Sequence, residues 1–348
     1  MLQFPEQEVI QTLLELLKIR SPAGHAERAV HYVNRRLKQA GYQTVLDNKG
    51  GLRITVPGEN QKQHRFVTVH VDTLGAMVKE IKANGRLKLS KIGGFGWFSV
   101  DGAYCYVETR KGEVISGTIL SSRTSVHVYE DAETRKRSDE TMEVRLDACV
   151  SSSEEVKALG IQVGDFVSFD PWVMKTETGF IKARHLDDKA SAAVLIELLA
   201  AIKKAGVTLP YTTHFYFSNF EEVGFGANSN IPSLVREYVA VDMGAVGEGQ
   251  TTDEYSVSIC AKDGTRPYHY GLTNQLIRLA EENGLNYQVD IFPHYASDAS
   301  VAVRAGFDVR HALMGPGVDA SHAYERTHRD ALENTYRLLF YYLTSKTM

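Results

Sequence analysis

The spacing of apolar residues predicts that the chain opens with two amphipathic helices and continues into strands. Apolar positions recur at helical intervals over residues 5–20, stop at a Ser-Pro-Ala-Gly segment, and recur over 26–40 before a glycine. Two short strand patterns follow at 42–47 and 52–56. The segment RFVTVHVD at 65–72 is rich in β-branched and aromatic residues and ends in polar ones, which predicts a buried sheet strand.

A different pattern runs from about residue 73 to residue 171. Short runs of strand-forming residues are separated by glycine turns, and one short helical pattern lies at 153–158. Strands of this length and spacing predict a small β-barrel or sandwich that is inserted into an α/β domain. The predicted strands cover residues 77–81, 86–90, 104–108, 113–120, 143–147 and 166–170.

Helical and strand patterns alternate again after the insert. This alternation predicts an α/β fold with a mostly parallel central sheet and helices on both of its faces. The predicted domains are a discontinuous α/β domain at 1–73 and 172–348 and an inserted β-barrel-like domain at 74–171. The predicted helices cover residues 189–205, 231–237, 271–283 and 299–305, and the predicted strands cover 212–219, 238–243, 286–292 and 309–314.

Composition narrows the classes of function. The formal net charge of the 348 residues is −4 with no run of like charges, which argues against a nucleic-acid or anionic-membrane partner. Glu6, Glu8 and Glu15 interrupt the first apolar pattern, so we expect an amphipathic helix there and not a signal peptide. No segment approaches the roughly 18 continuous apolar residues of a membrane span. Three widely spaced cysteines argue against a disulfide scaffold and favour a cytoplasmic setting.

Polar side chains with metal-binding or acid–base chemistry follow the predicted strands. Ligands of open α/β sheets bind beyond the carboxyl ends of the strands, so these residues are expected to meet on one rim. They are His70 and Asp72, Asp187 and Asp188, Glu221 and Glu222, Asp242, and His322.

The first of these patterns is His70-Val71-Asp72. Residues i and i+2 of a strand point to the same face, so His70 can bind a cation while Asp72 accepts a hydrogen bond from the other ring nitrogen. The pattern by itself is weak evidence, because a capped strand end has the same residues.

The adjacent pair Glu221-Glu222 is more informative. Two neighbouring carboxylates at the end of an apolar strand repel each other when buried, and a cation bound to one removes the difficulty. The other is then available as a general base. An exposed acidic turn is the alternative interpretation.

Asp187 and Asp242 complete a possible two-cation centre. A carboxylate has two oxygens, so one aspartate can bridge two cations, and two imidazoles with further carboxylates give shells suited to zinc, cobalt or manganese. Taken singly, Asp187 is better explained as a helix N-cap and Asp242 as a strand-end turn, whereas such explanations do not account for all of the candidates together. Histidines near these residues are further candidates for supporting or substrate contacts: His185, His214, His294 and His328.

Six separated segments resemble the family-42 metallopeptidases, which include glutamyl, deblocking and tetrahedral aminopeptidases. The resemblance covers essentially the whole chain, insert included. The segments are VTVHVDTLGAMV, ARHLDDKASAAVLIELL, FSNFEEVGFGA, YVAVDMGAVGEG, YASDASVAVRAG and ASHAYERTH.

The resemblance implies a role for each candidate residue. It implies an aminopeptidase that removes residues from peptides with a free N-terminus by means of a water activated by two divalent metal ions, most often zinc. His70 and Asp242 would bind one metal, Glu222 and His322 the other, and Asp187 both, while Glu221 would be the general base and Asp72 would orient His70.

The resemblance also implies an assembly. The insert would be a dimerisation domain, and the dimers would build a homo-oligomer such as a dodecamer. Three departures from the family pattern indicate a divergent subgroup: Lys189 after the Asp-Asp pair, a loop shortened around Phe225, and Tyr295-Ala296-Ser297-Asp298 in place of Gly-Gly-Thr-Asp.

Two other classes of function remain open at this point. A glycoside hydrolase of the endoglucanase type would use two carboxylates and no metal, although adjacent Glu221 and Glu222 fit poorly on opposite sides of a sugar ring. A non-catalytic scaffold that binds metal would lack the base or a ligand, whereas here every predicted position is filled.

Overall fold

A computed structural model describes residues 2–348 of the chain. Within this range the chain forms helices and strands that are numbered here in chain order. The helices are α1 (Glu6–Leu17), α2 (Glu27–Gln39), α3 (Ser153–Ala158), α4 (Leu186–Ala205), α5 (Tyr270–Glu282), α6 (Asp298–Arg304) and α7 (Arg329–Thr344). The strands are β1 (Thr44–Leu46), β2 (Leu52–Val56), β3 (Gly58–His70), β4 (Gly75–Ile81), β5 (Leu87–Ile92), β6 (Tyr104–Glu108), β7 (Val114–Ser121), β8 (Met142–Leu146), β9 (Phe166–Phe169), β10 (Met174–Lys175), β11 (Phe180–Ala183), β12 (Leu209–Ser218), β13 (Val235–Val241), β14 (Gly244–Val246), β15 (Val257–Lys262), β16 (Tyr287–Ile291), β17 (Arg310–Asp319) and β18 (Glu325–His328).

A twelve-stranded mixed sheet forms the centre of the α/β part. Its main order is β1-β2-β12-β3-β13-β17-β18-β11-β10, with β14 and β15 paired to β17 and β16 paired to β15. The central strands β12, β3, β13 and β17 are parallel, and the outer strands add antiparallel pairs. The predicted α/β class is confirmed, and the predicted parallel character holds at the centre of the sheet.

Alternating side chains of the central strands fill a hydrophobic core on each face of the sheet. On β3, Val67 and Val69 face the core formed with α1, α2, α4 and α7, whereas Phe66 faces the smaller core on the α6 side. On β13, Val239 and Tyr238 divide between the two cores in the same way. The period of two along a strand thus places apolar residues on both faces, as a sheet covered by helices requires.

The insert forms a closed antiparallel barrel. Its strand order is β4-β5-β8-β7-β6-β9, and β4 pairs back onto β9 to close the ring. All six strands lie between Gly75 and Phe169 and enclose a hydrophobic core of their own. Closure leaves no free sheet edge in the barrel.

A charged contact joins the barrel to the α/β part. The guanidinium of Arg28 at the start of α2 donates to both carboxylate oxygens of Glu108 on β6. The ring of His25 lies 3.1 Å from the same carboxylate and stacks on Phe166 of β9, with ring centroids 5.1 Å apart. Arg28, His25 and Phe166 thus form a direct contact between the two parts of the molecule.

One predicted element is wrong and several were not predicted. The predicted helix at 231–237 does not exist, because residues 231–234 form an irregular segment containing Pro232 and β13 begins at Val235. The buried pattern of β13 and its β-branched residues favour the sheet over a helix. Neither β15 nor α7 was predicted, although buried Leu332, Tyr336 and Leu339 of α7 recur at helical spacing.

Across residues 2–348, no helix is both long enough and apolar enough to cross a bilayer.

A buried ion pair anchors the end of the chain below the sheet. The side chains of Arg65 on β3 and Glu237 on β13 are fully buried, and Arg65 Nε lies 3.1 Å from Glu237 Oε2. The same guanidinium donates to the carbonyl oxygens of Tyr342 and Thr347, at 2.6 Å each. The hydroxyl of Tyr342 donates to the Glu237 carboxylate. Glu237 Oε1 has no hydrogen-bond partner but lies 3.3 Å from Nη2 of Arg310, so each charge of this cluster has a partner of opposite sign.

Substitution of Arg65 by methionine is expected to lower the free energy of unfolding by about 3–5 kcal/mol, because it removes the principal partner of a buried carboxylate. Chemical denaturation at fixed protein concentration measures the change. As the control, Arg329→Met removes an exposed partner of Glu6 and is expected to change the free energy by less than about 1 kcal/mol. Equal effects of the two substitutions would contradict the role given to burial.

Candidate metal centre

Three neighbouring parallel strands deliver most of the candidate residues. His70 is the last residue of β3, Asp242 follows β13 directly, and Glu221 and Glu222 form a short 3-10 turn just after β12. Because β12, β3 and β13 are adjacent and parallel, their carboxyl ends meet at one edge of the sheet. The strand-end residues selected from the sequence therefore lie together.

The carboxylate of Asp187 lies between the two candidate imidazoles. Its Oδ1 is 3.0 Å from Nε2 of His70, and its Oδ2 is 3.3 Å from Nε2 of His322. Residues 187 and 188 have non-helical backbone angles at the start of α4, which carries the Asp187 side chain to the rim. The Asp187 carboxylate thus faces both candidate ligand nitrogens at once.

The described residues contain two groups of potential ligands whose atoms lie within 4.8 Å of one another. One group is Asp187, Glu222 and His322, and the other is His70, Asp188 and Asp242. Asp188 was seen in the sequence next to Asp187 but was not given a ligand role. Its Oδ2 accepts the backbone N–H of His70, while its buried Oδ1 has no hydrogen-bond partner. This unpaired oxygen is suited to a cation.

Burial makes the charge of the cluster costly. It raises the pKa of Glu222 to about 8, that of Asp242 to about 7 and that of Glu221 well above its usual range, and neighbouring carboxylates add to each effect. Burial lowers the pKa of His322, but the charges of Glu222 and Asp187 outweigh it and raise this pKa to about 11. The cluster thus retains protons that divalent cations can replace, and its nitrogen and oxygen donors fit such cations.

Asp72, which follows β3, is hydrogen-bonded to the turn that follows β12. Its Oδ1 and Oδ2 accept the backbone N–H groups of Glu221 and Glu222, at 3.2 Å each. Nδ1 of His70 lies 3.0 Å from the backbone carbonyl oxygen of Asp72 and 3.5 Å from its carboxylate. The His70 ring is therefore oriented through its second nitrogen, as ligand histidines generally are, chiefly by the carbonyl oxygen.

Glu325 holds the backbone of Asp187 and His322 in a similar way, and the sequence did not predict this role. Its Oε2 accepts the backbone N–H of Asp187 and its Oε1 that of His322, at 3.0 Å each. Backbone at His322 is left-handed, with φ of 62°, a conformation that costs a non-glycine residue about 1–3 kcal/mol. The bond to buried Glu325 helps to offset this cost. Its position three residues after His322 is the only sequence signal that we recognise.

The barrel also contacts the cluster. Nδ1 of His322 donates to the carbonyl oxygen of Gly94, in the loop that follows β5. A side chain at the preceding Gly93, where φ is 79°, would place its Cβ 2.5 Å from a methyl group of Leu74 and 3.4 Å from the carbonyl oxygen of Glu222. Glycine at this position thus lets the barrel loop approach the site closely.

The additional histidines are dispersed. His294 lines the cavity beside the cluster, and buried His185 precedes Leu186 at the start of α4. His214 instead pairs with His64 at 2.9 Å, and the side chain of His328 caps α7. Sequence proximity to the candidate ligands therefore did not imply proximity in space for His214 and His328.

The fold and this donor set define the class, an α/β protein with a candidate metal centre at the carboxyl ends of its parallel strands. The chain belongs to the M42 glutamyl aminopeptidase family, whose model matches residues 50–338. Membership assigns it to the aminopeptidases, and peptidases of this family depend on metal ions. The resemblance seen in the sequence is confirmed.

Curated relatives support the same family. YhfE of Bacillus subtilis, which is provisionally named an aminopeptidase, is 54% identical over 339 residues that cover 97% of this chain and 98% of YhfE. The glutamyl aminopeptidase of Lactococcus lactis is 24% identical over 219 residues, which cover 62% of this chain and 61% of that protein.

Solved structures share the fold. A TET aminopeptidase of a marine sediment archaeon, a thaumarchaeote, superimposes with a TM-score of 0.87 at 17% identity, covering 97% of this chain and 96% of the other. The dodecameric PhTET1-12s superimposes with a TM-score of 0.84 at 23% identity, covering 97% of this chain and 99% of the other. An endoglucanase of Thermotoga maritima gives a lower score of 0.72 at 19% identity, covering 95% and 96%.

Substitution of Glu325 by glutamine is expected to weaken metal binding by about 10–100-fold, because an amide offers one acceptor oxygen to two backbone N–H groups. Competition with a chromogenic chelator measures the affinity. Glu254→Gln is the matched control. Glu254 pairs at 2.7 Å with Arg326, the neighbour of Glu325 on β18, and contacts none of the candidate ligands. Unchanged affinity in the Glu325 variant would contradict the positioning role.

Proposed function

We propose that this protein is a dinuclear metallo-aminopeptidase in which Asp187 bridges two divalent cations. The observation that carries the proposal is the placement of the Asp187 carboxylate between Nε2 of His70 and Nε2 of His322. Asp242 would complete one shell with His70, and Glu222 the other with His322. Asp188, which belongs to the same group as His70 and Asp242 and has one oxygen without a hydrogen-bond partner, is an additional candidate for the His70 side.

Nitrogen and carboxylate donors in small shells favour zinc, with cobalt or manganese as alternatives. When bound, such a pair of cations supplies electrophilic activation of a water molecule and of the scissile carbonyl group. The protein must then provide an acid–base group and a binding place for the substrate.

Glu221 is the proposed general base. It belongs to neither group of three ligands, yet its Oε2 lies 3.8 Å from Nε2 of His70 and its side chain lines the same cavity. Burial raises its pKa, which suits a carboxylate that accepts a proton from water and delivers it to the leaving amine. Asp72 acts indirectly, by holding the backbone of Glu221 and Glu222.

Glycoside hydrolysis is less well supported. The carboxylates of Glu221 and Glu222 arise from one short turn and face imidazoles, whereas the two acids of a glycosidase stand on opposite sides of a sugar ring. Relatives named endoglucanases share this fold at low identity, and a shared fold does not fix the reaction.

The insert at 74–171 is the proposed oligomerisation domain, in a homo-oligomer that is built from dimers and can reach a dodecamer. Support comes from the dodecameric form of a structural neighbour and from a barrel that is a separate unit with its own core. A cytoplasmic setting is proposed as well, since Cys105, Cys149 and Cys260 are unpaired thiols.

The substitution Glu221→Gln is expected to lower kcat by about 100–10,000-fold while two metal ions per chain are retained, because it removes the base and no ligand. Turnover of an aminoacyl p-nitroanilide and metal analysis of the same sample test this. Glu59→Gln, at an exposed position, is the control and should leave both quantities unchanged. Normal turnover in the Glu221 variant would reject the assignment of the base.

Removal of metal by a chelator is expected to abolish peptide hydrolysis, and two equivalents of zinc per chain should restore it. Bound metal should also raise the unfolding temperature, since a ligand at about 100 times its Kd stabilises the folded state by about 2.7 kcal/mol. Calorimetry with and without zinc measures the shift. Full peptide hydrolysis by the metal-free protein would overturn the proposed mechanism. Hydrolysis of a glucan that the chelator does not inhibit would overturn it as well.

A further inference from the structure

A cavity of about 490 Å³ opens beside the candidate metal centre. This volume suits one substrate side chain together with the adjoining backbone. One wall consists of the candidate ligands and the base. Most of the remaining lining, called the second wall here, comes from the segment after β13, the segment after β16 and the first turn of α6.

The second wall is largely apolar. Met243 and Phe292 are part of it although they are almost completely buried, and Ala245 and Val301 also line the cavity. The ring of Tyr295 packs against Phe292 with centroids 5.5 Å apart. Its hydroxyl lies 3.1 Å from the carbonyl oxygen of Met243, to which it donates, so the ring is held in place.

No lysine or arginine occurs among the described residues that line this cavity. The ammonium group of nearby Lys49 is bound instead to the carbonyl oxygen of Phe225 and to the side chain of Asn228. On the wall itself, the Gln250 amide donates to the carbonyl oxygen of Ile291, and His294 is exposed to solvent.

The carboxylates that line the cavity all belong to the metal-centre wall. An acidic substrate side chain would therefore lose part of its hydration and would find no lysine or arginine to pair with in the cavity. A basic side chain would have to compete with the cations for the carboxylates. An apolar side chain meets neither cost and is stabilised by the burial of its own surface.

We propose that this cavity receives the side chain of the substrate's N-terminal residue and selects an uncharged, apolar one such as leucine, methionine or phenylalanine. Met243, Phe292 and Val301 determine the selection. The inference rests on the proposed function, because it takes the adjacent cluster as the hydrolytic centre.

A panel of aminoacyl p-nitroanilides tests the preference with the zinc-loaded protein. The kcat/KM values for the leucine, methionine and phenylalanine substrates are expected to exceed those for glutamate, aspartate and lysine by about 100-fold. Comparable or higher values for a charged substrate would overturn the preference while leaving the proposed function intact. Cleavage of none of the substrates would overturn the proposed function itself, and the inference with it.

Two variants test which wall holds the side chain. Ala296→Arg places a cation at an exposed position on the apolar wall and is expected to raise the ratio of glutamate to leucine kcat/KM by at least about 10-fold. Ala305→Arg is the matched control at the exposed far end of α6 and should leave the ratio unchanged.

The second variant, Val301→Phe, narrows the cavity and is expected to lower the ratio of phenylalanine to alanine kcat/KM by about 10-fold or more. Circular dichroism and zinc content establish that each variant is folded and loaded. Unchanged ratios in folded, zinc-loaded Ala296 and Val301 variants would overturn the assignment of this wall to the substrate side chain.

Discussion

Buried carboxyl groups crowd the carboxyl ends of the central parallel strands, and their charge is the constraint around which the site is built. Water is largely excluded, so burial raises the pKa of Glu221, Glu222 and Asp242 and leaves the cluster in need of positive charge. The two imidazoles do not supply a partner for every carboxylate oxygen of the cluster. One buried oxygen of Asp188, for example, has no hydrogen-bond partner. A pair of divalent cations would compensate the charge and would use the same atoms that are otherwise costly to bury.

Backbone hydrogen bonds, more than contacts among the candidate ligands, define the shape of this cluster. The Asp72 carboxylate accepts the backbone N–H groups of Glu221 and Glu222, and the Glu325 carboxylate accepts those of Asp187 and His322. Each of these two carboxylates thus joins parts of the chain that are far apart in sequence. Such pre-positioning matters for catalysis, because reacting groups that are already in place need not be ordered during the reaction.

The barrel contributes to the site as well as forming a separate unit. Its Gly94 carbonyl oxygen orients the His322 ring, and the Arg28–Glu108 contact joins the barrel to the α/β part. The largely apolar wall of the cavity comes from the α/β part alone, from the ends of β13 and β16 and from α6. In this proposal, chemistry depends on both parts of the molecule, whereas the choice of substrate side chain depends on one.

The sequence by itself determined the class of fold and the side chains that could carry chemistry. Strand and helix periods are local, so the buried strand ending at His70, the insert and the strand-end acids were visible along the chain. The helix predicted at 231–237 failed because pairing with β3 and β17 made Val235–Val241 a strand, and pairing is not a local property. Only the tertiary structure decided that Asp187 faces both imidazoles, that one oxygen of Asp188 has no hydrogen-bond partner, that Glu325 joins the backbone of Asp187 to that of His322, and that His214 pairs with His64. The physical reason is that these relations depend on side-chain direction and on packing between segments more than a hundred residues apart, which no periodicity along the chain records.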